Sequence, residues 1–167
     1  MNIHIKVISR EISEYLWRAG ETLSTAESCT AGSVSSAIAA LPGASTYFRG
    51  GVVTYTNELK TLLLGVPETM LQEKGAVSEE VARAMVQGAL QRLGTDYAVA
   101  VTGYAGPGGG PEASVGTIFV AVGNNESIDV RCLTGDDGRE ENVMRATATA
   151  LQMLLERLKI DFPLTDE

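Results

Sequence analysis

Histidine is nearly missing from this chain: His4 is the one such residue among 167. A Ser-His-Asp or Cys-His pair would need His4 to fold back from a ragged start, so the available bases are carboxylates and lysines. Lysine is scarce as well, limited to Lys6, Lys60, Lys74 and Lys159. The two cysteines, Cys29 and Cys132, lie far apart, which excludes a disulfide framework and reads as reduced thiols in a cytoplasmic protein. No CxxC, HExxH or His/Cys cluster has metal-ligand spacing, so no metal is expected. No apolar run is long enough to cross a membrane, and "MNIHIKVISREISEYLWRAG" lacks the apolar centre of a signal peptide. Basic residues are outnumbered, 13 Lys and Arg against 21 Asp and Glu, for a net charge of −8. A nucleic-acid groove leaves a basic footprint, and there is none here. A small anionic ligand stays open, because backbone N–H groups bind phosphate without a positive protein.

What is present is a chain 44% apolar and 20% charged, which suits one folded domain without linkers or repeats. Ile8, Ile12, Tyr15, Leu16 and Ala19 mark a helix over 8–19. "ETLSTAE" predicts a strand at 21–27, and "AGSVSSAIAAL" a helix stopped by Pro42-Gly43. "RGGVVTYT" predicts a strand at 49–56, followed by a short helix "NELKTLLLG" capped by Asn57 and stopped by Gly65. "VSEEVARAMVQGALQRLG" is the clearest helix, with Ser78 as cap and Val81, Met85, Ala89 and Leu93 on its core face. "DYAVAVTG" is a buried strand at 96–102, and "YAGPGGGPEAS" is a loop. "VGTIFVAVG" and "SIDVRCLT" form a hairpin around Gly123-Asn124-Asn125, and a last helix covers 140–158. The alternation predicts an α/β fold, a three-layer α/β/α sandwich with a mixed, mostly parallel sheet.

Three polar stretches follow three of these strands: Ser28, then Tyr55 to Lys60, then Thr102 to Gly110. Open α/β sheets bind ligands at the carboxyl ends of their strands, so parallel neighbours would bring the three together. Ser28 stands at a strand-to-helix turn, where the N–H groups that follow can stabilise an oxyanion. The alternative for Ser28 or Thr30 is helix capping alone. Lys60 sits among apolar residues in the first turn of a helix, where the dipole and desolvation both favour a neutral amine. Its alternative is an exposed surface lysine. Cys29 reads as a small packed thiol rather than a rival nucleophile. "GYAGPGGG" offers backbone to a phosphate or a planar ligand, yet it is neither a Walker loop nor GxGxxG.

Taken in order, "TAESCTAG", "GGVVTYTNELK", "LGV", "GAVSEEVA", "VTGYAGPGGG", "VGT" and "GD" resemble the CinA C-terminal-domain family, over about residues 8–158. The resemblance is to the stand-alone form, without the larger N-terminal domain of full-length members. It implies nicotinamide mononucleotide deamidase activity: the carboxamide becomes a carboxylate and ammonia leaves, in pyridine-nucleotide recycling without a cofactor. By motif, Ser28 would be the nucleophile, Lys60 the base, and Tyr55 a support for the lysine or the amide. Thr102 would line the pocket. Glu27, Thr30, Ala31, Gly32, Asn57, Gly103, Gly106, Gly108 and Arg139 fall in the same motifs and are candidate substrate-binding residues. The partner is a small nucleotide, with no nucleic acid or membrane, and the expected assembly is a homodimer.

The chain departs from the family pattern in four places. Ala31 stands where ESCTGG has its first glycine, and Tyr104 where GIAGP has isoleucine. No lysine precedes "VGT", and the GDR motif is "GDDGR", with Arg139 as the guanidinium and Val143 where a second arginine is common. Intact Ser28, Tyr55 and Lys60 favour an amidohydrolase. The drifted binding positions leave open a non-catalytic paralogue that binds nucleotide or regulates.

Overall fold

A computed structural model describes residues 2–163. Helix α1 (Ile3–Ala19) leads into strand β1 (Leu23–Glu27) and helix α2 (Ser33–Ala39). A 3-10 turn precedes β2 (Phe48–Val53), then come α3 (Asn57–Leu64), α4 (Glu68–Lys74) and α5 (Glu79–Leu93). Strands β3 (Tyr97–Gly103), β4 (Ile118–Gly123) and β5 (Ile128–Leu133) follow, and α6 (Arg139–Asp161) ends the fold. The strands form one sheet in the order β2-β1-β3-β4-β5. β1 pairs parallel with both β2 and β3, while β4 runs antiparallel to β3 and β5. Every strand but β4 therefore points the same way, as the mixed, mostly parallel reading requires.

The sheet buries both faces because its strands alternate two kinds of apolar residue. Val99, Val101, Ile118, Val120 and Val122 face α1, α2 and α6 in the larger core. Ala98, Ala100 and Ala121, one residue out of step, face α3, α4 and α5. With a period of two, one strand serves both layers, and the alanine side lets α5 approach closely. Helix ends follow side-chain chemistry. The Asn2 side chain accepts from His4 N–H, Ser78 accepts from Val81 N–H, and Gly20, Gly65 and Gly94 close α1, α3 and α5 in the left-handed region.

Several expected boundaries move. The first helix begins at Ile3 rather than residue 8, because Asn2 caps it and Ile5 is buried; His4 is an exposed residue of its first turn and not part of a ragged end. Thr56, not Asn57, caps α3: its hydroxyl accepts from Leu59 N–H, and Asn57 is the first helical residue. The strand expected to 56 ends at Val53, since Thr54 N–H reaches the carbonyl of Glu27 and the chain turns into that cap. Helix α2 begins at Ser33, not Ala31, because residues 28–32 form a turn of their own. Helix α4 was not expected from the pattern. Its signals are Pro67-Glu68 at the start, Lys74 in the last turn and Gly75 as the stop.

Candidate active site

The parallel strands β2, β1 and β3 end side by side, and the three polar stretches leave from those ends. Ser28 follows the central strand. Its N–H donates to Val101 of β3, so the nucleophile candidate is held by the ladder itself. Lys60 comes from α3, just beyond β2, and its Nζ lies 3.0 Å from Ser28 Oγ and 2.8 Å from the carbonyl oxygen of Thr54. Lys60 is only 2% exposed, so the surface-lysine alternative fails. Burial pulls its pKa down from 10.5 to about 8. The ammonium donates to both oxygens, and a neutral amine at the same place can keep the Thr54 carbonyl and accept from the serine hydroxyl. Roughly a tenth of the lysines are then neutral at pH 7. Cys29 is buried beside the pair, and burial pushes its thiol up to about 11, so it stays protonated and is no competing nucleophile.

Two cavities open at this point. The larger, about 570 Å³, is lined by Ser28, Lys60, Asn57, Thr102, the end of α4 and the 75–77 linker. The smaller, about 360 Å³, is lined by Ser28, Cys29, the glycine-rich loop from Gly103 to Gly109, and Arg139. Ser28, Tyr55, Gly103 and Tyr104 border both. The expected residues Asn57, Thr102, Gly103, Gly106, Gly108 and Arg139 therefore do gather around Ser28. Thr102 is itself anchored, its hydroxyl donating to Ala76 O. At Gly103 a Cβ would lie 2.6 Å from Ile118, so the close approach of β4 requires glycine.

The other expected residues build the turn rather than the pocket. Glu27 is wholly buried and lines neither cavity. It accepts from the Thr30 hydroxyl, from the N–H groups of Val34 and Ser35, and from the Ser35 hydroxyl. It thus caps α2 from inside and takes the N-terminal amides that sequence reasoning offered to an oxyanion. Among the described residues, the amides of Cys29 and Thr30 next to Ser28 donate to no carbonyl or carboxylate, which leaves them as the candidate donors. Thr30 is buried against Glu27, and Ala31 and Gly32 line neither cavity. Ala31 has φ +49, which explains why a glycine suits this position. Tyr55 is half-exposed and does not bond to Lys60. Arg139 donates to its hydroxyl at 2.6 Å, and also to the carbonyl of Gly106.

Sequence reasoning missed the wall made by Leu71 to Val77, because α4 was not foreseen, and it missed Glu112 and Asn142. Asn142 is fully buried and links the two loops by donating to Ala105 O and Asp136 Oδ1. No local pattern marks it. Among the described residues, no group of three or more His, Cys, Asp or Glu side chains is gathered to hold a metal, and no helix is long and apolar enough to cross a membrane.

Residues 5–158 match the model of the CinA C-terminal domain. The chain belongs to that family. A CinA-like protein of Geotalea daltonii is 48% identical over 142 residues, 84% of this chain but 34% of the relative. The chain spans about a third of the length of such curated relatives. Crystal structures agree in fold. The competence/damage inducible protein CihA from Agrobacterium tumefaciens has a TM-score of 0.88 at 40% identity, covering 92% of this chain and 94% of that one. A CinA superfamily protein from Escherichia coli has a TM-score of 0.89 at 32% identity, covering 92% of this chain and 90% of that one. Family membership accounts for the ordered motifs along the chain.

Proposed function

We propose that this CinA-family domain is an amidohydrolase that converts nicotinamide mononucleotide to nicotinic acid mononucleotide and ammonia, with Ser28 as nucleophile and Lys60 as base. The observation that carries the reading is the 3.0 Å contact between a buried lysine of lowered pKa and a serine at the mouth of two cavities. Neutral Lys60 takes the Ser28 proton as Oγ attacks the carboxamide carbon, and the Cys29 and Thr30 amides receive the oxyanion. The lysine returns the proton to the leaving ammonia. Water then attacks the acyl-serine, giving its proton to Lys60, which passes it back to Ser28 Oγ as the carboxylate leaves.

Ammonia release from nicotinamide mononucleotide tests this. Wild type releases ammonia, and Ser28→Ala and Lys60→Ala each lower the rate at least 1,000-fold with folding intact, on the order expected for groups of one catalytic unit. Activity that survives Ser28→Ala removes the mechanism. A second reading is favoured by one observation: Arg139 is already engaged by Tyr55 and Gly106. Nucleotide binding without ammonia release in the wild type would select that reading, a non-catalytic nucleotide-binding paralogue.

A further inference from the structure

The rim of the larger cavity carries a set of contacts that the serine–lysine pair does not use. Glu112, in the loop between β3 and β4, accepts from the Tyr104 hydroxyl at 2.7 Å and from Val77 N–H at 3.2 Å. Tyr104 begins the glycine-rich loop, and Val77 belongs to the linker between α4 and α5. One carboxylate therefore ties together two walls that are far apart in sequence. Two glycines leave room for the tie. A Cβ on Gly75 would lie 2.7 Å from the Glu112 carboxylate, and one on Gly110 would lie 2.0 Å from the Tyr104 hydroxyl oxygen. Tyr104 also borders both cavities, together with Ser28, Tyr55 and Gly103.

We propose that Tyr104 and Glu112 form a latch that fixes the width of the larger cavity, with Glu112 a positioning residue for bound nucleotide and Tyr104 its anchor on the glycine-rich loop. The physical basis is that a hydrogen bond to an ionised carboxylate is stronger than a neutral one, and a loop held in its bound position loses less entropy on binding. Without the latch, Asn142 still holds Ala105 and Arg139 still holds Gly106, but the tie from this loop to the 75–77 wall is gone, and bound ligand must hold that side of the cavity in place. The reacting pair sits on other elements, so the latch acts on affinity rather than on chemistry. The inference rests on the proposed function for its choice of ligand.

The test is the Kd of nicotinamide mononucleotide in a Ser28→Ala background, with hydrogen exchange of amides 104–113 measured beside it. Glu112→Ala weakens binding about tenfold and Tyr104→Phe about threefold, as expected for losing two bonds or one. The double variant binds no more weakly than Glu112→Ala alone, because the Tyr104 bond is already lost there. Glu112→Gln, which keeps an acceptor, stays within about threefold of its parent. With Ser28 restored, KM rises by the same factors while kcat changes less than about twofold. Faster loop exchange at unchanged Kd, independent multiplicative effects, or a fall in kcat at constant KM would each overturn the latch. A parent that binds the nucleotide while the wild type fails to hydrolyse it removes the hydrolase reading, and the latch is still decided by the Kd series. A parent that binds no nucleotide overturns both.

Discussion

Lys60 is the residue on which the proposed chemistry and the stability of this domain meet. Its folded pKa of about 8 lies below its ordinary value of 10.5. Between those values the unfolded chain binds more protons, so Lys60 makes stability rise with pH through this window, by about 3 kcal/mol in all. Below pH 8 the cation is buried and the full penalty applies. Cys29 acts in the opposite sense above its ordinary pKa of 9.0, since burial raises its folded value to about 11. The difference between wild type and Lys60→Met isolates the lysine. Urea unfolding of the pair is expected to show wild type gaining on the variant as pH rises from 8 to 10. In parallel, kcat/KM of the wild type is expected to rise about tenfold per pH unit below 8 and to level above it, as the proposed neutral base requires. Ala31 supplies a second prediction at this scale. With φ +49 it holds a conformation costly for any residue with a Cβ. Ala31→Gly is expected to raise the free energy of unfolding by about 1 kcal/mol, with activity kept, because Ala31 lines neither cavity.

At the scale of elements, α3 is held in place by its contact with α5. Gly88 of α5 is buried, and a Cβ there would meet the Leu64 carbonyl oxygen at 2.0 Å. Backbone cannot yield as a flexible side-chain tip can. Gly88→Ala is therefore expected to cost about 2–3 kcal/mol by overpacking, more than the roughly 1 kcal/mol that alanine returns in helix propensity. Because α3 carries Lys60, the same change lowers kcat along with the urea midpoint. Helix α5 was also the element most legible in the sequence, since Ser78, the apolar stripe and Gly94 agree with one another. Helix α4 was the least legible: seven residues with one buried leucine carry too little periodicity to stand out. The cap of α3 was misplaced by one residue because Thr56 and Asn57 are both good caps, and only the turn out of β2 decides between them.

For the whole molecule, the sequence by itself determined the layering. Alternation of Val and Ala along β3 and β4 dictates a sheet covered on both faces, and the carboxyl ends of parallel strands then name where a site must lie. It also singled out Ser28 and Lys60 as candidates, once histidine was scarce and the family motifs were in order, and the structure places them 3.0 Å apart. Only the tertiary structure decided what each remaining polar residue does. Glu27 and Thr30 stand in the same motif as Ser28, yet the strand's period of two sends the glutamate inward, where four donors of the 30–35 segment satisfy it. Tyr55 meets Arg139 across 84 positions, and Glu112 meets Val77 across 35. Local pattern fixes the face a residue takes, whereas such pairings depend on how loops from different strand ends pack together. That information is carried by the assembled sheet and not by any stretch of the chain alone.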